Sequence, residues 1–107
     1  MVGFFILCGM VNWLNYKFGE DIKITILDEN TEYSLTVEVI EYEYSLHRHP
    51  HLVDLKVIKT SDDEVYPIDS ILRLPVDTKD TVNFLLFAPN PQFPNRELKR
   101  TGILFLK

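Results

Sequence analysis

Residues 21–46 read DIKITILDENTEYSLTVEVIEYEYSL, and the spacing of their apolar side chains decides the fold class. Ile22, Ile24 and Ile26 alternate with Lys23 and Thr25, a polar DENT follows, and Tyr33, Leu35 and Val37 then alternate with Ser34, Thr36 and Glu38. A period of two is the pattern of half-buried strands, so the stretch reads as a hairpin. Pairing residues whose numbers sum to 59 sets Ile26 against Tyr33, Ile24 against Leu35 and Ile22 against Val37, all on one face. A slip of one residue would turn one apolar set to water, which makes this register strongly specified.

The run from Glu32 to Leu46 is too long for one straight strand in so small a chain, at roughly 3.3 Å per residue. Its apolar parity is odd through Val39 and even from Ile40, continuing through Tyr42, Tyr44 and Leu46. Two consecutive apolar residues at the switch predict a β-bulge or a sharp coil there. Long strands bent in the middle and shared between two faces of a closed sheet are how small barrels are assembled.

Beyond the bend, Val53, Leu55 and Val57 alternate with Asp54 and Lys56 as a returning strand. A register sum of 99 sets Leu46 against Val53, Tyr44 against Leu55 and Tyr42 against Val57, and pairs Glu43 with Lys56 on the outer face. It leaves HRHPHL (47–52) as the hairpin tip. His47, His49 and His51 are therefore the candidate metal ligands, but zinc needs three or four donors converging on one point. Pro50 breaks the alternation that would aim the three one way, and no cysteine lies nearby. The expectation is an exposed polar tip with no cofactor; a zinc or other transition-metal site, or a pH response, is the alternative.

The rest alternates between turns and strands. TSDDE (60–64) reads as a turn, and VYPIDSILRLPV (65–76) as a strand, a tight connection and a further strand. VNFLLFA (82–88) reads as an apolar strand, PNPQFPN (89–95) as a proline-stiffened loop and TGILFLK (101–107) as the closing strand. With no strand–helix alternation to suggest a parallel sheet, the class is all-β, a small barrel or rolled antiparallel sheet. The strand order and VYPIDSILRL (65–74) resemble the pattern of small SH3-like or Sm-like barrels across residues 20–76, and the last 30 residues have no counterpart in it.

Residues 1–19 form an apolar segment ahead of the β body of 20–107, and the 107 residues read as one domain. Phe4, Leu7, Cys8, Val11, Leu14 and Phe18 fall at helical spacing, which allows a short helix, although Gly3 and Gly9 weigh against its first half. Phe5, Ile6, Met10 and Trp13 lie off that stripe. A segment apolar on all sides packs in a core or against a second subunit, and Phe4, Phe5, Leu7, Val11 and Leu14 are the residues that would make a homo-oligomer contact. No basic region precedes the run, and Val2 to Leu14 is too short for a bilayer, so a cytoplasmic protein without a membrane segment is expected, with Met10 an alternative start to Met1. Cys8 is the only cysteine, which excludes an internal disulfide. It lacks a basic neighbour to favour the thiolate and reads as a small apolar residue.

The net charge of −5 is unevenly placed. Residues 1–95 carry −8, whereas residues 96–107 carry +3 through Arg96, Lys99, Arg100 and Lys107 against Glu97. An acidic body repels phosphate, so nucleic-acid binding is not expected unless the basic C-terminal end supplies the attraction. No phosphate-binding glycine loop or nucleophile elbow is present, and the Asp62–Asp63 and Asp77–Asp80 pairs fall in turns, where aspartate bonds the local backbone. An enzyme is the least supported class. Phe93 stands alone as an aromatic in a polar loop beside Arg96, Lys99 and Arg100, which makes these four the candidate partner-binding residues. The expected function is non-catalytic recognition of another protein, as an inhibitor, immunity-type or adaptor module, through an acidic surface and the 89–100 loop. A nucleic-acid-binding barrel is the alternative, and a metal- or pH-responsive domain the third.

Overall fold

The computed structural model describes residues 10–44, 50–79, 81–89 and 98–106. Its strands are β1 (Met10–Asn12), β2 (Asp21–Asp28), β3 (Thr31–Tyr44), β4 (Pro50–Thr60), β5 (Ile71–Pro75), β6 (Asp77–Lys79), β7 (Thr81–Phe87) and β8 (Leu98–Leu106). Six of them close an antiparallel barrel in the order β2-β3-β4-β5-β7-β8, sealed by β8 on β2, while β1 and β6 pair separately. The pattern resembling SH3-like barrels spans β2 to β5. Closure is made by β7 and β8, the part without a counterpart.

The first hairpin has the expected register: Ile22 faces Val37, Ile24 faces Leu35 and Ile26 faces Tyr33. Its two-residue loop is turned by Glu29, which takes a positive φ of 56°, as the tight hairpin turns that match strand twist require. The expected bulge is also present, since the β3–β4 pairing shifts between Val39 and Glu41 and leaves Ile40 at 40% exposure.

The second register differs from expectation. Tyr42 pairs with Val53, Val39 with Leu55 and Val37 with Val57, while Lys56 faces Glu38 instead of Glu43. The tip moves with it: Tyr44 pairs with Pro50, so Pro50 opens β4 and His51 lies on the strand. A proline is tolerated at the first residue of a strand, where a missing N–H costs least. Tyr44, expected inside, is 61% exposed beyond the barrel wall. Residues 65–67 form no strand either. Asp62 Oδ1 accepts the N–H groups of Glu64 and Val65, Asp63 Oδ1 accepts that of Ile68, and the chain coils through turns until β5. Asp62 and Asp63 thus do the turn-forming work expected of them, whereas Asp77, also expected in a turn, opens strand β6 because residues 77–79 pair with β1, and Asp80 lies outside the described residues.

The apolar N-terminal segment is strand and turn where it is described, not helix: β1 is followed by a single 3-10 turn, Trp13–Asn15. Trp13, off the helical stripe, is fully buried, whereas Leu14 and Phe18 on that stripe are 48% and 65% exposed. The Trp13 N–H donates to the Val76 carbonyl, and the Trp13 and Tyr16 carbonyls both lie within hydrogen-bond distance of the Tyr42 hydroxyl. Trp13 therefore plugs one end of the barrel. Phe4, Phe5, Leu7 and Cys8 lie outside the described residues. No helix among the described residues is long and apolar enough to cross a membrane.

The seam between β8 and β2 depends on Gly102. A Cβ at this buried position would lie 3.0 Å from Ile26 Cγ2 and 3.2 Å from the Leu27 carbonyl oxygen. The Leu27 oxygen belongs to the backbone of the paired strand and cannot swing aside. Gly102→Ala is expected to destabilise the barrel by about 1–3 kcal/mol through overpacking, read as a lowered urea midpoint with an unchanged slope.

Candidate cleft between β5 and β7

The barrel is not uniformly zipped. β5 and β7 share only three pairs, Ile71 with Phe87, Leu72 with Leu86 and Arg73 with Leu85. Beyond Arg73 the two strands part, for reasons visible on each side. Pro75 has no N–H to extend a ladder. The Val76 N–H donates to the His51 carbonyl, the Val76 carbonyl accepts from Trp13, and β6 pairs with β1, so the chain after β5 is drawn toward β4 and β1. β7 meanwhile stays on β8 through Thr81.

The parting opens a cleft of about 490 Å³, within the range of roughly 300–1,000 Å³ usual for ligand sites. It runs from the outer face down to Leu74 and Phe84, which are core residues, with Leu52 and Leu85 on its walls and Lys99 and Arg100 lining it from β8. Asn83 and Thr101 face each other across β7 and β8, and the Thr101 hydroxyl donates to Asn83 Oδ1 at 2.7 Å. The result is an apolar slot with a cationic border.

The two cations differ. Lys99 is exposed and makes no ion pair with a described residue. Arg100 pairs across the ladder with buried Phe84, so it faces the barrel interior. Its guanidinium lies 5.3 Å from the centre of the Tyr66 ring, its Nη1 is 3.8 Å from Asp28 Oδ2, and its buried Nε has no acceptor among the described residues. Alternation along β8 decides this: Arg100 shares the parity of Gly102 and Leu104, which are buried. Phe93 and Arg96, the other two candidate partner-binding residues, lie outside the described residues.

Tyr66, behind Arg100, is fully buried, and its hydroxyl has no hydrogen-bond partner among the described residues. Burial pushes its phenol well above the usual tyrosine value of 10.0, with Arg100 opposing and Asp28 and Tyr33 adding to the rise. A folded-state value above the unfolded one means that the folded chain holds the proton longer. The stabilisation is complete below about pH 10 and is lost as pH climbs further. Tyr66→Phe is expected to flatten that alkaline loss relative to wild type in urea titrations. Near neutrality it should leave stability unchanged or raise it by up to about 1 kcal/mol, because no hydrogen bond is lost.

Of the histidines, only His51 is described; it is exposed on β4, and His47 and His49 lie outside the described residues. Among the described residues no group of three or more His, Cys, Asp or Glu side chains is placed to hold a metal ion. A second depression, beside Lys23, Thr36 and Lys59 and over the core residues Ile24 and Leu35, lies where β2, β3 and β4 are paired without a gap, and two of its hydroxyls are engaged in the chain's own turns. Ser61 Oγ accepts the Ser34 N–H, and Thr60 Oγ1 bonds both backbone groups of Asp62.

Leu52, Leu74, Phe84 and Leu85 are site residues that sequence reasoning passed over as ordinary strand positions. The available signal was Pro75, which marks where a ladder must end beside an apolar strand. No family model, no curated protein and no solved structure matches this chain.

Proposed function

We propose that the protein is a non-catalytic module that binds a partner protein through the cleft between β5 and β7. The observation that carries this reading is the opening itself: two strands that elsewhere pair part beyond Arg73, over a cleft whose lining includes Leu52, Leu74, Phe84 and Leu85. Burying such apolar surface is the main source of binding free energy, and fixed polar groups at its border give orientation. Lys99 and Arg100 supply that border, and they favour an acidic group on the partner. The adaptor or inhibitor role fits a small barrel that presents such a cleft on an otherwise acidic body.

The test is a photo-crosslinking amino acid placed at Asn83, in the cleft, and separately at Lys23, in the second depression, with expression in the native host. A discrete protein adduct from position 83 and none from position 23 is expected. Equal labelling from both positions, or adducts with nucleic acid alone, would refute the assignment.

A further inference from the structure

Resting on that reading, we infer that the cleft takes an extended peptide segment of the partner, added as a strand along β7 and carrying a carboxylate toward Lys99. Three observations converge on this occupant. The first is an open ladder: β7 pairs with β8 from Thr81 to Leu86, but its other edge meets β5 only from Leu85 onward, and no described residue pairs with that edge across 81–84. In a strand the N–H and C=O of alternate residues point to opposite neighbours, so every second residue of 81–84 turns both groups toward the gap. An edge of this kind is what an added strand recognises.

The second is the lining. Leu74 and Phe84 lie at the bottom of the gap, while Leu85 and Leu52 lie on its walls. A peptide with apolar side chains at alternate positions would put them on this floor, because side chains of an extended chain alternate in direction. The third is charge. The chain as a whole is at −5, yet Lys99 beside the gap makes no ion pair with a described residue, and Arg100 stands behind it on the inner side. The third cation beside the cleft, Arg73, is already committed to Asp54 and Glu43. An Asp or Glu side chain, or a terminal carboxylate, meets Lys99 through a charge-assisted hydrogen bond, while Arg100, turned inward to Asp28, adds positive potential behind it. A nucleic-acid strand fits less well, since its repeating phosphates would approach a chain that carries −5 overall.

The experiment is selection of a displayed random heptapeptide library on the full chain, counter-selected on a Leu85→Arg variant that fills the wall. The leading peptide is then synthesised with and without N-methylation of alternate amides, and with its acidic residue changed to the amide. Expected are peptides with alternating apolar residues and at least one Asp or Glu, with NMR shifts centred on the amides of 82–85. N-methylation on one set of alternate amides should weaken binding at least tenfold, as should Glu→Gln in the peptide. Lys99→Glu, an exposed change that leaves the core intact, should weaken it by a similar factor. Binding that tolerates N-methylation at both sets overturns strand addition while leaving the cleft as a binding site. Enrichment of peptides without acidic residues overturns the charge assignment. A library that yields nothing dependent on the cleft, beside a protein adduct from position 83, overturns this inference alone; failure of the crosslink as well removes the reading beneath it.

Discussion

Trp13→Ala is expected to cost about 3–5 kcal/mol, the range for removing a large buried aromatic side chain. For a chain of this size that loss is on the order of 15 °C or more in Tm, and it takes a large share of the total stability of a small domain. The expectation rests on a ring with no exposed surface, packed 5.6 Å from the centre of the Tyr16 ring, on a residue whose backbone N–H and carbonyl are bonded to the Val76 carbonyl and the Tyr42 hydroxyl. Trp13 is the single tryptophan, so its own fluorescence reports unfolding in the wild type. Trp13→Phe, which keeps most of the apolar volume, should lose clearly less, with circular dichroism as the common probe. A cost below about 1 kcal/mol for the alanine variant would mean that residues 10–15 are an appended arm and not the plug of the barrel.

Arg73→Leu carries the second large effect. Asp54 faces Glu41 on β3 and Arg73 on β5, so two carboxylates stand directly opposite each other on the outer face. Like charges so placed are destabilising. Arg73 reverses the sign: its Nε and Nη2 bond the two oxygens of Asp54 at 2.8 and 3.1 Å, and Nε lies 3.4 Å from Glu43. The guanidinium also lies 5.0 Å from the centre of the Phe87 ring. With the Asp54 side chain only 6% exposed, removing the arginine strands a desolvated carboxylate. The expected loss is about 3 kcal/mol, at the low end for a broken buried pair because the Arg73 side chain is 28% exposed. Adding Asp54→Val to the Arg73→Leu variant should restore most of it, since an apolar pair leaves no uncompensated charge. Arg73→Lys keeps the charge but not the fork and should fall between. A single variant indistinguishable from wild type in urea would show that the pair is a solvated surface contact.

These two residues also show how far the chain could be read without coordinates. The β2–β3 hairpin was legible because its alternation, its short polar turn and its register agree, and any odd slip would expose isoleucines. The bulge at Ile40 was legible for the same reason, as a change of parity within one strand. The second hairpin was not. The expected pairing of Tyr42 with Val57 and the observed one with Val53 differ by four residues, and an even shift keeps every apolar side chain on its face. Alternation cannot choose between such registers. The choice is made by the ladder of β4 with β5 and by the bulge, neither of which is local. Trp13 was missed for a related reason, since a helical period fitted to a run of apolar residues picks out Leu14 and Phe18, which the barrel leaves outside.

At the candidate site, Lys99 and Arg100 were recognisable as an island of positive charge in an acidic chain. Their division of labour was not, because it depends on which parity of β8 faces inward. The floor of the cleft was invisible for a deeper reason: Leu74 and Phe84 lie on different strands and look like any other core residues, and a gap between strands is a property of the pair.

The amino-acid sequence by itself determined that the chain is all-β, where its first hairpin pairs, where β3 bends and that Asp62 and Asp63 form a turn. All of these follow from steric and solvation preferences over a few neighbouring residues. Tertiary structure alone decided the offset of the second hairpin, the burial of Trp13, the inward turn of Arg100 and the opening between β5 and β7. Each of these is set by closing a sheet on itself, a constraint that couples distant strands and leaves no trace in the period of any one of them.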